Sequence, residues 1–381
     1  MDKKIIFWSP LISHVGTINA VLKSALSLCN GSNHKIFVID VLGEFSNINK
    51  DEFKNIIFLK IFNVSKYLPK TGIFSKLFLY LFSILAIPKL TFIIFKHKPD
   101  FIFSYLVSIV PLFLGRIFFK KIKIVCSIQG YPKLNNFRLL LWKKLYSRAN
   151  YIITMTNKTK HLIINVLNYN SSKISTVYNP IISQKIKLLS YEKINESDEV
   201  IFKKKVIISV GRLTRQKNYL LLLEAFNKKD IRENYNLLII GEGEDRDKLE
   251  KYIKVNGLTK SVYLKGFCLN PYKFISKSFL YISCSKWEEP GHSILEAGYL
   301  NLPIITSDCP NGPKELYIHK KNAFVFVDNS LEDLYLKIKD FEKTNSCKLY
   351  QIKLEMKKLT KRFTNIKFNI KVNEIFDKIN N

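Results

Sequence analysis

Glycine is scarce in this 381-residue chain, 14 in all, and cysteine is scarcer still at six. Cys29, Cys126, Cys268, Cys284, Cys309 and Cys347 form no CxxC pair and show no ligand-like spacing. That disfavours a disulfide framework or a thiolate metal site and suits reduced thiols in a cytoplasm. Acidic residues are missing from a long stretch: none occurs between Asp100 and Glu192. A mechanism built on paired carboxylates in the first half is disfavoured accordingly. No uninterrupted apolar run reaches the roughly 20 residues of a membrane-spanning helix. The nearest, Ile73–Phe95, is broken by Lys76 and by Pro88-Lys89, and its longest clean part is Leu77–Ile87. There is no short-period repeat and no low-complexity tract.

What is present is a chain long enough for two α/β domains, with a hydrophobic fraction of 47% to fill two cores. Its formal charge is +30, unevenly spread: residues 1–190 carry 27 Lys and Arg against 6 Asp and Glu. A Lys-, Ile- and Asn-rich codon usage accounts for much of the total but not for the asymmetry, so the first half is expected to face an anionic partner. For Ile73–Phe95 two readings stand beside the disfavoured span. It is a helix buried in the core, or one lying in a membrane interface with its lysines reaching phosphates. The flanking Lys66, Lys70, Lys96 and Lys98 favour the interface. The N-terminal apolar run is too short for a signal peptide and reads as a buried strand, so a cytosolic chain is expected.

Short apolar runs alternate with helical patterns in the βαβ rhythm of a parallel sheet. The expected strands are Ile5–Trp8, Lys35–Val41, Ile56–Leu59, Phe101–Ser104, Ile122–Ser127 and Tyr151–Thr154, with helices at Thr17–Cys29, Phe137–Arg148 and Lys158–Leu167. The polar stretch Ser190–Lys205 reads as a linker. A second series follows at Val206–Val210, Leu237–Ile240, Val262–Leu264, Leu280–Ile282, Pro303–Thr306 and Ala323–Val327. Ligands of such sheets bind beyond the carboxyl ends of the strands.

The few glycines stand where strands give way to helices: Gly16, Gly130, Gly211, Gly241, Gly243 and Gly266. There, backbone N–H groups can approach an anion. After Gly211, Arg212 and Lys217 share one loop, a guanidinium fork and a mobile ammonium suited to a diphosphate. The segment Ser285–Glu296 places Glu288 before a Pro290-Gly291 turn and Glu296 inside the helix expected from His292. The N–H groups of Gly291, His292 and Ser293 would hold a phosphate or a sugar hydroxyl there, and the two glutamates would accept from donor hydroxyls. Asp245-Arg246-Asp247 opens a charged helix and is read as a helix start rather than a metal site. No metal is expected.

Taken together, these elements resemble a retaining family-4 glycosyltransferase of the two-Rossmann-domain (GT-B) type. The resemblance rests on Gly211-Arg212-Leu213 with Lys217, Gly241-Glu242-Gly243-Glu244, Leu264-Lys265-Gly266-Phe267, Glu288…Glu296, and Thr306-Ser307-Asp308 leading to Gly312 and Glu315. It is specific over about residues 175–320. In the first half it is an outline only, through Gly16, Gly130 and Tyr178-Asn179-Pro180.

The resemblance implies an α/β fold of two doubly wound Rossmann-like domains facing across a cleft. An acceptor-binding domain would span 1–189, a linker 190–205, a nucleotide-sugar-binding domain 206–360, and a C-terminal helix, 361–381, would pack back on the first domain. Arg212 and Lys217 would bind the donor diphosphate, Glu288 the transferred sugar and Glu296 the ribose hydroxyls. The Gly266-Phe267 backbone would meet the base, Gly16 would approach the phosphates, and Gly211 and Gly243 would shape the donor loops. Gln129 and Gly130 would stand on the acceptor or sugar side. Two departures are visible. Glu289-Pro290 replaces the usual Gly-Phe, and Gln129 stands where many members carry a histidine, so a histidine base is in doubt.

The implied activity is hexosyltransferase-type: a sugar moves from a nucleotide diphosphate, UDP favoured, with no cofactor besides that co-substrate. The expected acceptor is a glycan or polyprenyl-linked glycan of lipopolysaccharide or capsule synthesis, at the inner face of an anionic membrane. A nucleotide-sugar-binding protein without turnover is the rival reading. A basic nucleic-acid-binding protein is the lesser rival: it would account for the charge, but basic and aromatic residues are not interleaved on a reader motif, so no nucleic-acid partner is expected.

Overall fold

Runs of Ile, Val, Leu and Phe make the strands, and they are nearly continuous because a parallel sheet is covered on both faces. Ile5, Ile6, Phe7 and Trp8 are all fully buried, as are Leu237, Leu238 and Ile239. The computed structural model describes residues 2–12, 16–46, 48, 50–69, 72–132 and 134–380. The chain divides into two units, Met1–Ile181 with Phe363–Asn381, and Ile182–Arg362.

The first unit runs β1 (Lys4–Trp8), α1 (Gly16–Gly31), β2 (Lys35–Asp40), β3 (Ile56–Lys60), α2 (Gly72–Leu85), α3 (Ile87–His97) and β4 (Phe101–Ser104). It continues with α4 (Ile109–Ile117), β5 (Lys123–Ile128), α5 (Asn136–Tyr146), β6 (Tyr151–Thr154), α6 (Asn157–Leu167) and β7 (Ile174–Thr176). Its seven strands are parallel, ordered β3-β2-β1-β4-β5-β6-β7. Side-chain caps start two of the helices, Asn135 accepting from the Arg138 amide of α5 and Thr156 from the Thr159 amide of α6.

The second unit runs α7 (Gln184–Ser190), α8 (Glu196–Glu199), β8 (Lys205–Val210), α9 (Tyr219–Phe226), α10 (Lys229–Asn234), β9 (Tyr235–Ile240) and α11 (Arg246–Val255). Next come β10 (Val262–Gly266), α12 (Tyr272–Lys277), β11 (Leu280–Ser283), α13 (His292–Tyr299), β12 (Ile304–Ser307) and α14 (Gly312–Leu316). It closes with β13 (Phe324–Phe326), α15 (Leu331–Lys343) and α16 (Ser346–Thr360). Its six parallel strands are ordered β10-β9-β8-β11-β12-β13. Both sheets are therefore doubly wound, with the reversal of strand order at β1/β4 in one and β8/β11 in the other. Crevices open at the carboxyl ends of such strand pairs.

Helix α17 (Asn365–Asn380) packs in the first unit. Phe368, Val372, Ile375 and Phe376 are buried there, and the Phe376 ring lies 4.2 Å from that of Phe101. The Asn369 amide donates to the Ser27 carbonyl at 3.0 Å.

Three expectations need correction. Residues 182–205 are not the end of the first unit plus a free linker. They pack into the second unit, where Ile194 and Ile201 are buried, Lys265 Nζ meets Asp198 Oδ1 at 2.6 Å, and the Asn236 amide donates to the Ile201 carbonyl at 2.8 Å. The polar composition of 190–205 concealed Ile194 and Ile201, which anchor it beside the equally buried Ile182 and Ile186. Ile73–Phe95 is two helices bent by 47°. The break falls at Ala86, since Pro88 lacks the N–H that would bond back to Ile84. Neither is a plain core helix: Ala86, Leu90, Ile93 and Ile94 are buried, while Phe74, Leu77, Leu81, Ile84, Leu85, Phe92 and Phe95 are exposed. Of the flanking lysines, Lys70 lies outside the described residues. No single helix among the described residues is long and apolar enough to cross a membrane. Strand β7, with a single apolar residue in Ile174-Ser175-Thr176, gives no strand signal.

Candidate active site

In the second unit the loops after β8 and β11 flank the point where strand order reverses. The β8 loop is locked from below: the Leu213 amide donates to the Glu242 carbonyl at 2.9 Å, and the Asp245 amide to the Leu213 carbonyl at 3.0 Å. Gly243 permits this approach, because a Cβ there would stand 2.2 Å from the Leu213 carbonyl oxygen. Arg212, at the tip, is exposed and has no ion pair among the described residues.

Lys217 closes the same loop and reaches across. Its Nζ meets Glu288 Oε2 at 2.5 Å, and the two side chains are only 19% and 12% exposed. Ser285 Oγ donates to the same carboxylate oxygen at 3.1 Å. The two loops are further stitched by the Gln216 amide donating to the Trp287 carbonyl and the Lys286 N–H donating to the Gln216 carbonyl, each at 2.8 Å.

Gly291, at φ +92°, turns the chain into α13, whose first turn has neither a side-chain cap nor an acidic residue. Its N-terminal N–H groups and dipole favour an anion. His292 and Ser293 open the helix. The Ser293 hydroxyl accepts from Tyr281 Oη at 2.8 Å, which fixes it on the sheet. Further along α13, Glu296 Oε1 accepts from Tyr272 Oη at 3.1 Å. Burial raises the Tyr272 pKa, and the charge of Glu296 raises it further, so the phenol keeps its proton and donates. Gly266 ends β10, with Phe267 beyond it at 75% exposure.

Sequence reading missed Ser285, Tyr272 and Asn311. The backbone of Asn311 pairs with that of Glu288, and the Gly312 amide donates to the Glu288 carbonyl at 3.0 Å. Asn311 is buried at φ +79°, ψ −118°, a region that L side chains rarely occupy, and its Oδ1 has no hydrogen-bond partner among the described residues. The same is true of the buried Tyr317 hydroxyl, whose pKa is raised by burial and then by the charge of Glu288. Strain and unsatisfied polar atoms beside one carboxylate make the surroundings of Glu288 a candidate for function. The Pro310-Asn311-Gly312 turn was the available signal. Arg246, in the Asp245-Arg246-Asp247 helix start, pairs with Glu242 at 2.7 Å and Glu250 at 2.8 Å.

In the first unit Gly16 is the first residue of α1, and Gln129 and Gly130 follow β5. Gln129 is already engaged. Its amide donates to Ser127 Oγ and its carbonyl accepts from the Asn179 amide, both at 2.7 Å. Both residues border a cavity of about 570 Å³ at the carboxyl ends of β4 and β5. Trp142 and Tyr146, stacked at 4.4 Å, line it, with Tyr80 and Arg138. Arg138 donates to Tyr80 Oη at 3.4 Å.

Family comparison fits both units. The family described as "Glycosyltransferase Family 4" matches residues 62–185, and that described as "Glycosyl transferases group 1" matches residues 191–358, about three quarters of the chain together. The chain belongs to the family-4, GT-B glycosyltransferases. This family member is 32% identical over 259 residues to an uncharacterized glycosyltransferase of Methanocaldococcus jannaschii, covering 63% of each chain. It thus spans less than two thirds of that relative's length. It is 28% identical over 264 residues, 65% of this chain and 70% of the other, to the N-acetylgalactosamine-N,N'-diacetylbacillosaminyl-diphospho-undecaprenol 4-alpha-N-acetylgalactosaminyltransferase of Campylobacter jejuni. Its fold matches that of Anabaena HepE, solved in complex with UDP, at a TM-score of 0.77 and 17% identity, over 99% of this chain and 100% of that one.

Proposed function

We propose that this family member is a retaining, hexosyltransferase-type enzyme that moves a sugar from a nucleotide diphosphate, UDP favoured, to a lipid-linked or membrane-associated glycan in surface polysaccharide synthesis. One observation carries the reading: a guanidinium with no ion pair among the described residues, Arg212, on the same loop as an ammonium already held by a carboxylate, Lys217 on Glu288. A dianionic leaving group satisfies the first cation and competes for the second.

In the proposed reaction the bond between the anomeric carbon and the diphosphate oxygen breaks, and the acceptor hydroxyl oxygen bonds that carbon on the same face. The departing phosphate oxygen takes the hydroxyl proton. Negative charge grows on the diphosphate, where Arg212, Lys217 and the N-terminus of α13 stabilise it. Glu288, oriented by Ser285, accepts from the sugar hydroxyls, and Glu296, oriented by Tyr272, from the ribose. Gly266-Phe267 meets the base. Gly211 and Gly243 hold the donor loops, and Gly291, His292 and Ser293 supply backbone N–H groups. No metal or further cofactor takes part in this scheme.

The first unit would hold the acceptor in the cavity bordered by Gln129 and Gly130, with Trp142 offering a face for a sugar ring. The Ser127–Gln129–Asn179 chain makes Gln129 a brace for that wall. The UDP-bound HepE neighbour and the undecaprenol-linked acceptor named for the Campylobacter relative support the donor and acceptor classes. The exposed apolar residues of α2 and α3, with no acid between Glu52 and Asp100, support docking on an anionic bilayer at its cytoplasmic face.

Melting shifts with UDP-, GDP- and ADP-linked sugars, followed by acceptor-free hydrolysis of the one that binds, test the proposal. A UDP-sugar should stabilise the protein and be slowly hydrolysed. Binding without any hydrolysis would move the reading to a nucleotide-sugar-binding protein, and no binding of any of the three would refute it.

A further inference from the structure

Helix α13 has two ends about 12 Å apart, at roughly 1.5 Å per residue over its eight residues. Its N-terminus belongs to the donor loops. Its other end borders a separate cavity of about 500 Å³ in the second unit, built by α7, α12, α13 and α16. That cavity continues into a neighbouring one of about 310 Å³, the two sharing Ser276, Leu300 and Asn301.

The lining has a distinct chemistry. Three phenols face it: Tyr191, Tyr299 and Tyr350, the first and last 69% and 68% exposed. Lys187 and Lys357 stand with them, and Lys353 borders the adjoining cavity, its pKa lowered by burial. Neither lining contains a carboxylate. The acids closest in sequence are engaged elsewhere, Glu192 accepting from the Asn270 amide and Glu355 pairing with Lys358. Polar edges complete the surface: the Ser190 and Ser276 hydroxyls and the Asn301 side chain.

We propose that this groove is a second binding site, for an anionic saccharide. Pyranose rings offer apolar faces that lie flat on phenol rings, and their hydroxyls match the serine and asparagine edges. Lysines with no carboxylate partner among the described residues call for the carboxylate, sulfate or phosphate of a charged sugar. A nucleoside diphosphate fits less well, because the lining has no glycine to bring backbone amides close to the phosphates. Its rationale, that an enzyme extending a charged polymer gains by holding the chain away from the reacting end, rests on the glycosyltransferase reading.

The test uses the full chain saturated with UDP, titrated calorimetrically with hexasaccharides bearing carboxylate, sulfate or phosphate groups and with a neutral hexasaccharide. At least one anionic probe should bind, and the neutral one at least tenfold more weakly. Tyr350→Ala and, separately, Lys357→Ala should each weaken that binding about tenfold with the melting curve and UDP affinity unchanged. Absence of binding by every anionic probe, equal binding of the neutral one, or binding unchanged in both variants would each overturn the site. UDP affinity is read in the same samples, so a failed donor site shows itself separately from a failed groove.

Discussion

Arg212 and Lys217 carry the same charge on the same loop, yet their removal should differ in its effect on stability. Arg212 is exposed and has no ion pair among the described residues, so Arg212→Ala should change unfolding free energy by no more than about 0.5 kcal/mol. Its loss falls on the transition state, where one missing preorganised donor costs about 3–4 kcal/mol, a drop of some 10²–10³ in kcat. Lys217→Ala leaves the Glu288 carboxylate, 12% exposed, with the Ser285 hydroxyl but without its cation. An unsatisfied group at that depth costs about 1–3 kcal/mol of stability, on top of a similar loss of turnover. The assay is kcat for sugar transfer or donor hydrolysis beside chemical denaturation of the same preparations. Arg212→Lys should recover part of the activity, since an ammonium keeps the charge but loses the fork. Full turnover in Arg212→Ala, or a large stability loss there with none in Lys217→Ala, would refute the assignment of these cations.

Four further outcomes follow. Gly243→Ala should destabilise the protein by about 2–3 kcal/mol in urea unfolding, because its Cβ meets the Leu213 carbonyl, a backbone atom that cannot swing away. Asn311→Gly should leave stability level or raise it by about 1 kcal/mol, relieving an unfavourable backbone angle, while turnover falls; unchanged turnover would remove Asn311 from the sugar pocket. Burial, then the neighbouring Asp40, pushes the Glu44 carboxyl well above its ordinary range. The native state therefore keeps a proton that the unfolded chain releases, so stability is full below the ordinary carboxylate pKa and declines as pH rises toward the native value. Glu44→Gln should flatten that decline in a pH series of melting curves. Leu77→Glu with Leu81→Glu, both on the exposed face of α2, should abolish flotation with anionic liposomes, and wild-type flotation indifferent to lipid charge would count against the docking.

The architecture was legible because parallel strands buried on two faces must be written as solid runs of Ile, Val, Leu and Phe. Only β7 escaped: its Ile174-Ser175-Thr176 holds a single apolar residue, whereas the equally short β13 is Phe-Val-Phe. In the candidate site, Arg212, Lys217, Glu288 and Glu296 were singled out by the order and spacing of the motifs that resemble the family, since a basic turn or a helix-start acid taken alone has an ordinary structural explanation. What stayed hidden is what three-dimensional neighbours decide. Tyr272 lies 24 residues before the carboxylate it orients, and Asn311 takes its strained backbone from pairing with Glu288. The bracing of Gln129 was hidden too, because its partner Asn179 arrives from 50 residues away. The residues 182–205 were misplaced for the same reason: composition marks a segment as polar, but the buried Ile182, Ile186, Ile194 and Ile201 decide where it packs.

Helix α17 has a consequence for how the protein is made. The first unit owes part of its core to residues 365–380, which leave the ribosome only after the whole second unit has been synthesised. Until then the sheet formed by residues 4–176 must wait with Phe101 and Phe103 uncovered on one side, a sticky surface in a nascent chain. Expressing residues 1–181 alone would freeze that unfinished state, and supplying the last helix in trans as a peptide is the natural way to complete it.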